Sequence, residues 1–354
     1  MSIGDDIRKD ADGNIIGCPH CGSRSIHKSG FLYRASHKKQ QWKCTACGRK
    51  TVAPTIIEEN EFKVHDVDPD HIPIDELIEH RKKQYKQKAI SKKSKKLVGI
   101  DINVDGPIGI AHFGDPHVDD DGTDISQILH YMSIINNTKG MFAGNLGDIQ
   151  NNWIGRLSYL YGQQSTSAKE SWRLTEYFVN KLDWLYLVAG NHDVWSGDGD
   201  PLDFIMRDHK GLYEKWGARM QLKFPNGKTI TINARHTFKG NSIWNTAHGV
   251  ARAAQTGWAD NILTCGHTHV SGYQVVKNPA NGTISHALQV ASFKIMDSYA
   301  DKLGLDDKNI FNCPVTIIDP RYDDDDSRLI TTIFNPEKGA EYLKYLRKEY
   351  ESTK

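Results

Sequence analysis

The sequence predicts an α/β body of layered strands and helices, preceded by a small four-cysteine metal module and a basic helical linker. Three observations predict it. From Pro107 onward, apolar runs of strand length alternate with stretches of helical periodicity. Four of the six cysteines stand as two Cys-x-x-Cys pairs near the N-terminus. The formal net charge of +1 conceals a division: residues 1–97 hold 20 Lys+Arg against 13 Asp+Glu, and residues 98–354 hold 25 against 31. A basic front on an acidic body points to a polyanionic partner for the front.

At roughly 150 residues per domain, a chain of 354 residues exceeds one ordinary core. Its 38% hydrophobic and 25% charged residues exclude wholesale disorder. The longest apolar runs fall well short of the roughly 18 residues a membrane span needs. The opening MSIGDDIRKDADGN has no apolar stretch behind a basic start, so it is not read as a secretory signal. A cytoplasmic setting is expected, where disulfides are disfavoured.

The first element, residues 1–55, is read as a zinc ribbon. Cys18-Pro19-His20-Cys21 and Cys44-Thr45-Ala46-Cys47 are separated by 22 residues. Each pair can form a tight knuckle with both thiolates on one ion, and two knuckles complete a closed tetrahedral site for structural Zn²⁺. Gly22 and Gly48 follow the pairs, where a tight turn favours a residue without Cβ. The stretch Ser29 to Trp42 is long enough for a hairpin. A module of roughly 40 residues buries little core, so the metal must contribute folding free energy. The segment CPHCGS…WKCTACGRKT resembles the N-terminal zinc ribbons of transposases and phage DNA-binding proteins. Cations on it can meet phosphates and aromatics can stack on bases. Lys38, Lys39, Trp42, Lys43, Arg49 and Lys50 are the contacts expected, with Phe31 and Tyr33 interleaved. The alternative is that the aromatics form the small core and the ribbon binds a protein.

The second element, residues 56–97, is an acidic then basic connector. Ile74, Leu77 and Ile78 have helical spacing behind Asp75, Glu76 and Glu79. Beyond them the chain is basic, with Arg81, Lys82, Lys83, Lys86, Lys88, Lys92, Lys93, Lys95 and Lys96. Arg81, Lys82 and Lys83 are added to the expected nucleic-acid contacts.

The third element, residues 98–335, carries the chemistry. The runs 108–113, 141–145, 184–188, 229–234 and 261–264 read as strands. They end in Gly114-Asp115-Pro116-His117, Gly147-Asp148, Gly190-Asn191-His192-Asp193, His236 and Gly266-His267-Thr268-His269. Strand ends in a layered α/β protein open into a ligand crevice. Carboxylate, imidazole and amide groups gathered there suit divalent Mn, Fe, Co, Ni or Zn. Helices are expected over 125–135 and 166–181 and from 336 to about 350, the last forming a C-terminal segment 336–354.

Asp-x-His, Gly-Asp, Gly-Asn-His-Asp, a single His and Gly-His-x-His, in that order, resemble the calcineurin-like metallophosphoesterases. The body looks like those of tailed phages, related to DNA repair exonucleases. The resemblance covers roughly residues 107–300 and implies an αββα sandwich with a dinuclear metal centre. It implies that Asp115, His117, Asp148 and His269 hold one metal, Mn foremost. It implies that Asp148 bridges to a second held by Asn191, His236 and His267, with His192 catalytic and not a ligand. Two cations sharing a carboxylate would supply hydroxide and clamp a phosphate, and His192 would protonate the leaving oxygen.

Protein phosphatases of this family carry Asp-Arg where this chain has Asn151 and Asn152, and Glu in place of Asp193. Both departures argue against a Ser/Thr phosphatase. They leave Asn151, Asp193 or a backbone group to orient His192. His236 is preferred over His248 as the middle ligand, because His248 lies in a helical stretch. His112 reads as core, His209 and His286 as structural or surface, Cys265 as a small buried hydrophobe, and Asp323–Asp326 as a solvated loop.

The expected function is dinuclear-metal-dependent phosphodiester hydrolysis by a DNA nuclease or phosphodiesterase, in the host cytoplasm if phage-encoded. The alternatives are a small-nucleotide phosphoesterase with a protein-docking ribbon, and a nucleic-acid-binding protein with a vestigial centre.

Overall fold

The structure, a computed structural model, describes residues 8–34, 37–57, 72–94, 97–152, 158, 161–162, 164–194, 200–296, 304 and 309–353. The acidic part of the connector falls largely on 58–71, outside the described residues, as do Lys95, Lys96 and the side chains of Lys92 and Lys93. The chain forms two compact units, Met1–Lys83 and Gln84–Lys354.

The first unit holds β1 (Ile15–Gly17), β2 (Ile26–Arg34), β3 (His37–Cys44), β4 (Lys50–Thr51) and β5 (Thr55–Ile57). Strands β2 and β3 form an antiparallel hairpin with a register shift between Lys28 and Phe31, and β4 adds to its edge. Strand β1 pairs with β5. Among the described residues, its buried apolar side chains are Ile16 and Ile26, beside Cys18 and Cys44. A core that small leaves much of the stabilisation to the cysteine cluster.

A helix, Ile74–Ser94, follows, with Asp75 and Glu76 in its first turn. The boundary between the units falls inside it. Ile74, Leu77 and Ile78 are all exposed, so the apolar spacing there does not mark a buried stripe. Every side chain from Ile74 to Ile90 is exposed.

The second unit is built on β6 (Val98–Asp101), β7 (Ile108–Phe113), β8 (Met141–Asn145), β9 (Trp184–Ala189), β10 (Leu212–Lys215), β11 (Gly217–Lys223), β12 (Thr229–Arg235), β13 (Ile262–Cys265), β14 (Gly272–Lys277), β15 (Ile284–Gln289), β16 (Val315–Ile318) and β17 (Ile330–Ile333). They form two six-stranded sheets, in the orders β10-β9-β8-β7-β16-β17 and β14-β15-β13-β12-β11-β6. Strands β7, β8, β9 and β10 are mutually parallel, and so are β12, β13 and β15. Every residue of β7 is buried, as a strand covered on both faces requires.

Ile108, Ile110, Tyr186, Val188, Met220, Ile232 and Leu288 pack the sheets against each other. The outer face of the first sheet is covered by the helices Ile125–Asn136, Ala168–Asn180 and Pro336–Ser352 through Phe113, Met132, Phe178, Trp184 and Leu343. The second sheet packs on the helix His248–Thr256 through Leu263, Val250, Ala254 and Ala287. The helix at 168–180 starts with a capping box in which Ser167 and Glu170 satisfy each other's backbone N–H groups. The result is a mixed α/β sandwich in which parallel strands of both sheets end on the loops that carry the carboxylates and histidines.

Candidate metal centre

Five loops supply the side chains. Asp115 and His117 follow β7, Asp148 follows β8, Asn191 and His192 follow β9, His236 follows β12, and His267 and His269 follow β13. One ligand atom from each of Asp115, His117 and His269 lies within 4.8 Å of the others, and the same holds for Asp148, His236 and His267. The two groups adjoin. His236 Nε2 is 3.2 Å from Asp148 Oδ2, and His236 Nδ1 is 3.8 Å from Asp115 Oδ1. Asn191 Oδ1 is 2.8 Å from His236 Nε2, and His267 Nδ1 is 3.0 Å from it. His117 and His269 bring their Nε2 atoms to 3.1 Å.

The backbone is bent to achieve this. Among the described residues, six other than glycine have positive φ, and four are His117 (41°), Asp148 (51°), His267 (74°) and His269 (55°). Each such residue costs roughly 1–3 kcal/mol, and such strain concentrates at functional sites. The motif glycines are required by close approach. A Cβ on Gly190 would run into Asp148 Oδ1 and the His236 ring, and one on Gly266 into the Asp115 carboxylate.

Hydrogen bonds aim the ligands. His236 Nδ1–H donates to the Leu146 carbonyl at 2.9 Å, leaving Nε2 for the centre. The His267 N–H donates to Asp115 Oδ2 at 2.6 Å and the His192 N–H to Asp148 Oδ1 at 2.9 Å. Asp193 accepts the N–H groups of Gly190, Asp148 and Ile149 and so holds the β8 and β9 loops together. His192 donates Nδ1–H to the main-chain carbonyl of Asn151 at 2.5 Å, and its Nε2 lies 3.9 Å from Asp148 Oδ2. Of the three candidates left open for orienting His192, the backbone group fills the place.

Burial raises the Asp115 carboxyl to about 6 against the pull of His236 and His269. Burial opposes ionisation of Asp148 too, yet His236, His192 and His117 hold it far below its ordinary value. Burial alone would lower His236, but Asp148 and Asp115 raise it to about 10. Burial, with His269 and His192 nearby, keeps His117 well below 6.5. Asp115 Oδ1 and His117 Nδ1 are buried without a hydrogen-bond partner among the described residues. Two carboxylates among clustered imidazoles, with unpaired buried atoms, fit divalent cations.

Several supports lie outside the five motifs. Ser292 Oγ–H donates to the Asp115 carbonyl, and Gln289 Nε2 to Gly266 O. Lys294 pairs with Asp120 at 3.0 Å, and Asp120 also accepts from Asn151 Nδ2 at 3.0 Å. The acidic run Asp119-Asp120-Asp121, which begins two residues after His117, was the available signal for Asp120; nothing local marks Ser292, Gln289 or Lys294. His248 is the first residue of its helix. His112 is fully buried between Tyr186 Oη and Thr316 Oγ1.

The ribbon has its own cluster. Cys18 and Cys47 place Sγ atoms 3.6 Å apart, as do Cys21 and Cys44, and none forms a disulfide. The knuckles repeat one geometry: Gly22 N–H donates to Cys18 O, Gly48 N–H to Cys44 O, and both glycines have φ of 71°. The Cys47 N–H draws the Cys44 thiol down to about 7, toward the thiolate a metal takes. Four sulfurs so placed can hold Zn²⁺.

Phe31 and Tyr33, which the alternative reading of the ribbon put in a small core, are exposed, at 47% and 71%. Lys38 Nζ lies 4.0 Å from the Phe31 ring centre and 5.7 Å from that of Tyr33. Trp42 is half-buried with Lys28 Nζ 5.7 Å from its ring. Lys38, Lys39, Lys43, Arg49, Lys50, Arg81, Lys82 and Lys83 are exposed, Lys82 in an ion pair with Glu79.

Among the described residues, no helix is long and apolar enough to cross a membrane. No protein-family model and no curated protein matches the chain. Among solved structures, it is similar to GAP50, the anchor in the inner membrane complex of Plasmodium, at 11% identity and a TM-score of 0.34, over 66% of this chain and 86% of that one. It is similar to Chaetomium thermophilum Vps29 at 12% identity and a TM-score of 0.29, over 64% of this chain and 92% of that one. Likenesses this slight carry no argument about activity.

Proposed function

We propose that this chain is a calcineurin-like metallophosphoesterase, a hydrolase that cleaves phosphodiesters with two divalent metals and acts on nucleic acid, DNA foremost. One observation carries the reading: Asp148 and six other ligand-type side chains from five loops gather in one place, and Asp148 Oδ2 lies 3.2 Å from His236 Nε2 and 3.9 Å from His192 Nε2. Asp115, His117 and His269, with Asp148, would hold one ion; Asp148, Asn191, His236 and His267 would hold the other. Mn is the first expectation, and Fe, Zn, Ni or Co suit the same donors. Such a pair supplies Lewis acidity toward phosphate oxygens and an acidified water.

The rest falls to the chain's own groups. Asn151 fixes the His192 proton on Nδ1 when the ring is neutral, and a protonated ring presents Nε2–H toward the centre. That proton is placed for delivery to a leaving alkoxide. The exposed Phe31 and Tyr33, with Lys38 beside them, support a ribbon that meets a nucleic acid rather than folding its aromatics inward.

The test is hydrolysis of bis-p-nitrophenyl phosphate and of labelled single-stranded DNA, double-stranded DNA and RNA, with Mn²⁺ against EDTA, alongside metal content. Metal-dependent cleavage of the diester and of DNA is expected. No turnover of any of these with two metals bound would overturn the reading. Turnover of the diester with none of any polymer would direct it to small nucleotides.

A further inference from the structure

We propose that the cavity walled by Asp119, Gln150, Asn152, Tyr161, Ser171 and Trp172 is a nucleobase subsite, receiving the base that flanks the scissile phosphate. The inference rests on the phosphodiesterase reading and names the part of the substrate beyond the phosphate. The cavity measures about 200 Å³. That is below the roughly 300–1,000 Å³ of sites for drug-sized ligands, and suits a single ring system.

Its walls are of two kinds. Tyr161 and Trp172 offer aromatic surface, and Asp119, Gln150, Asn152 and Ser171 offer polar atoms. A base asks for both, since every base has an apolar π-face and a polar edge. Gln150 is 1% exposed, and its Nε2 is buried with no hydrogen-bond partner among the described residues. Its Oε1 accepts from Ser171 Oγ at 2.5 Å, and the same hydroxyl lies 2.7 Å from Asp119 Oδ2. Ser171 has one hydroxyl hydrogen between these two oxygens, so the amide is held at its Ser171 end and its other end is left without a partner among the described residues. A buried polar atom without a partner is unfavourable, so a ligand that supplies one gains by it.

The wall is continuous with the candidate catalytic group. Asp119 Oδ1 accepts the Asn151 N–H at 2.7 Å, and the Asn151 carbonyl accepts from His192 Nδ1. Asn152 Nδ2 donates to the His192 carbonyl at 3.1 Å. The cavity therefore lies on the His192 side of the centre, where a leaving group departs. A base inside it is out of any duplex stack, so single strands, chain ends and mononucleotides reach the site and an intact duplex does not.

The test is calorimetry on the full-length protein with Mn²⁺, comparing the four deoxynucleoside 5′-monophosphates with deoxyribose 5-phosphate, which has no base. At least one nucleotide should bind roughly tenfold tighter than the sugar phosphate. Gln150→Leu and Tyr161→Ala should each erase most of that preference; Tyr161 is 40% exposed, so its replacement leaves the core intact. Equal affinity for nucleotides and sugar phosphate in the wild type, or a preference undiminished in both variants, overturns the subsite. Turnover of bis-p-nitrophenyl phosphate in the same preparation separates the two claims. Turnover without base preference removes the subsite alone; base preference without turnover removes the phosphodiesterase reading and keeps the subsite.

Discussion

The imidazole of His192 is tied through Nδ1 to the main-chain carbonyl of Asn151 at 2.5 Å, which leaves Nε2 facing the Asp148 carboxylate 3.9 Å away. A carbonyl accepts only, so this contact selects the tautomer without any partner side chain. His192→Gln should keep both metals while lowering turnover by roughly 10²–10⁴-fold, the range for loss of a general acid. Metal analysis with single-turnover kinetics checks it. Loss of metal in place of turnover would exchange the roles of His192 and His236.

Asp148→Asn removes the carboxylate proposed to bridge the two metals. Hydrolysis should fall to background and at least one metal should be lost, read by elemental analysis after dialysis. Two metals retained with full activity would remove Asp148 from the centre.

Asp193 accepts three backbone N–H groups through one buried carboxylate. Asp193→Ala leaves all three unpaired inside the protein. At roughly 1–3 kcal/mol for each buried unsatisfied group, the loss in stability should reach about 3 kcal/mol or more. Urea denaturation of the metal-free protein measures it without interference from ligand affinity.

Acid should weaken the body through two buried histidines that are not among the ligand-type residues. Burial pushes His112 down to about 3 and His286 to about 4, from 6.5. Both are therefore neutral in the fold and take up protons on unfolding once the pH falls below 6.5. Their contribution is complete above about pH 6.5 and is lost progressively as the pH falls toward 3. The urea midpoint should drop across that window. In His112→Gln the decline should be shallower by about one proton's worth of slope.

Lys38, Lys39 and Lys43 stand exposed on β3. Replacing all three with Glu should weaken DNA binding most at low salt. It should also reduce the salt slope by roughly 0.7–0.9 for each phosphate no longer neutralised. Binding isotherms at several salt concentrations test this. Unchanged DNA affinity would favour a protein partner for the ribbon.

Much of the body's frame was legible in one dimension. Strands β7 and β8 coincide with the apolar runs read at 108–113 and 141–145, because a strand buried on both faces writes its burial as a nearly unbroken run. Strands β6, β10, β11, β14 and β15 were not read. Strand β11, GARMQLK, has one face half-exposed and is defined by pairing with β12 and β6, information that lies in its partners.

The sequence by itself determined the two cysteine knuckles and the identities of the ligand-type residues. A Cys-x-x-Cys-Gly turn closes within five residues, so local geometry suffices, and the ligand-type residues sit on five loops that each follow a strand. Tertiary structure decided everything that required two distant segments to meet. It brought His236 rather than His248 to Asp148, supplied the Asn151 carbonyl to His192, and set Asp193 beneath two loops. It also brought Lys294 to Asp120 and turned Phe31 and Tyr33 to solvent. The physical reason is common to all of them. A backbone carbonyl carries no residue identity, and an ion pair between residues far apart in the chain exists only once the packing of both sheets has fixed where each loop emerges.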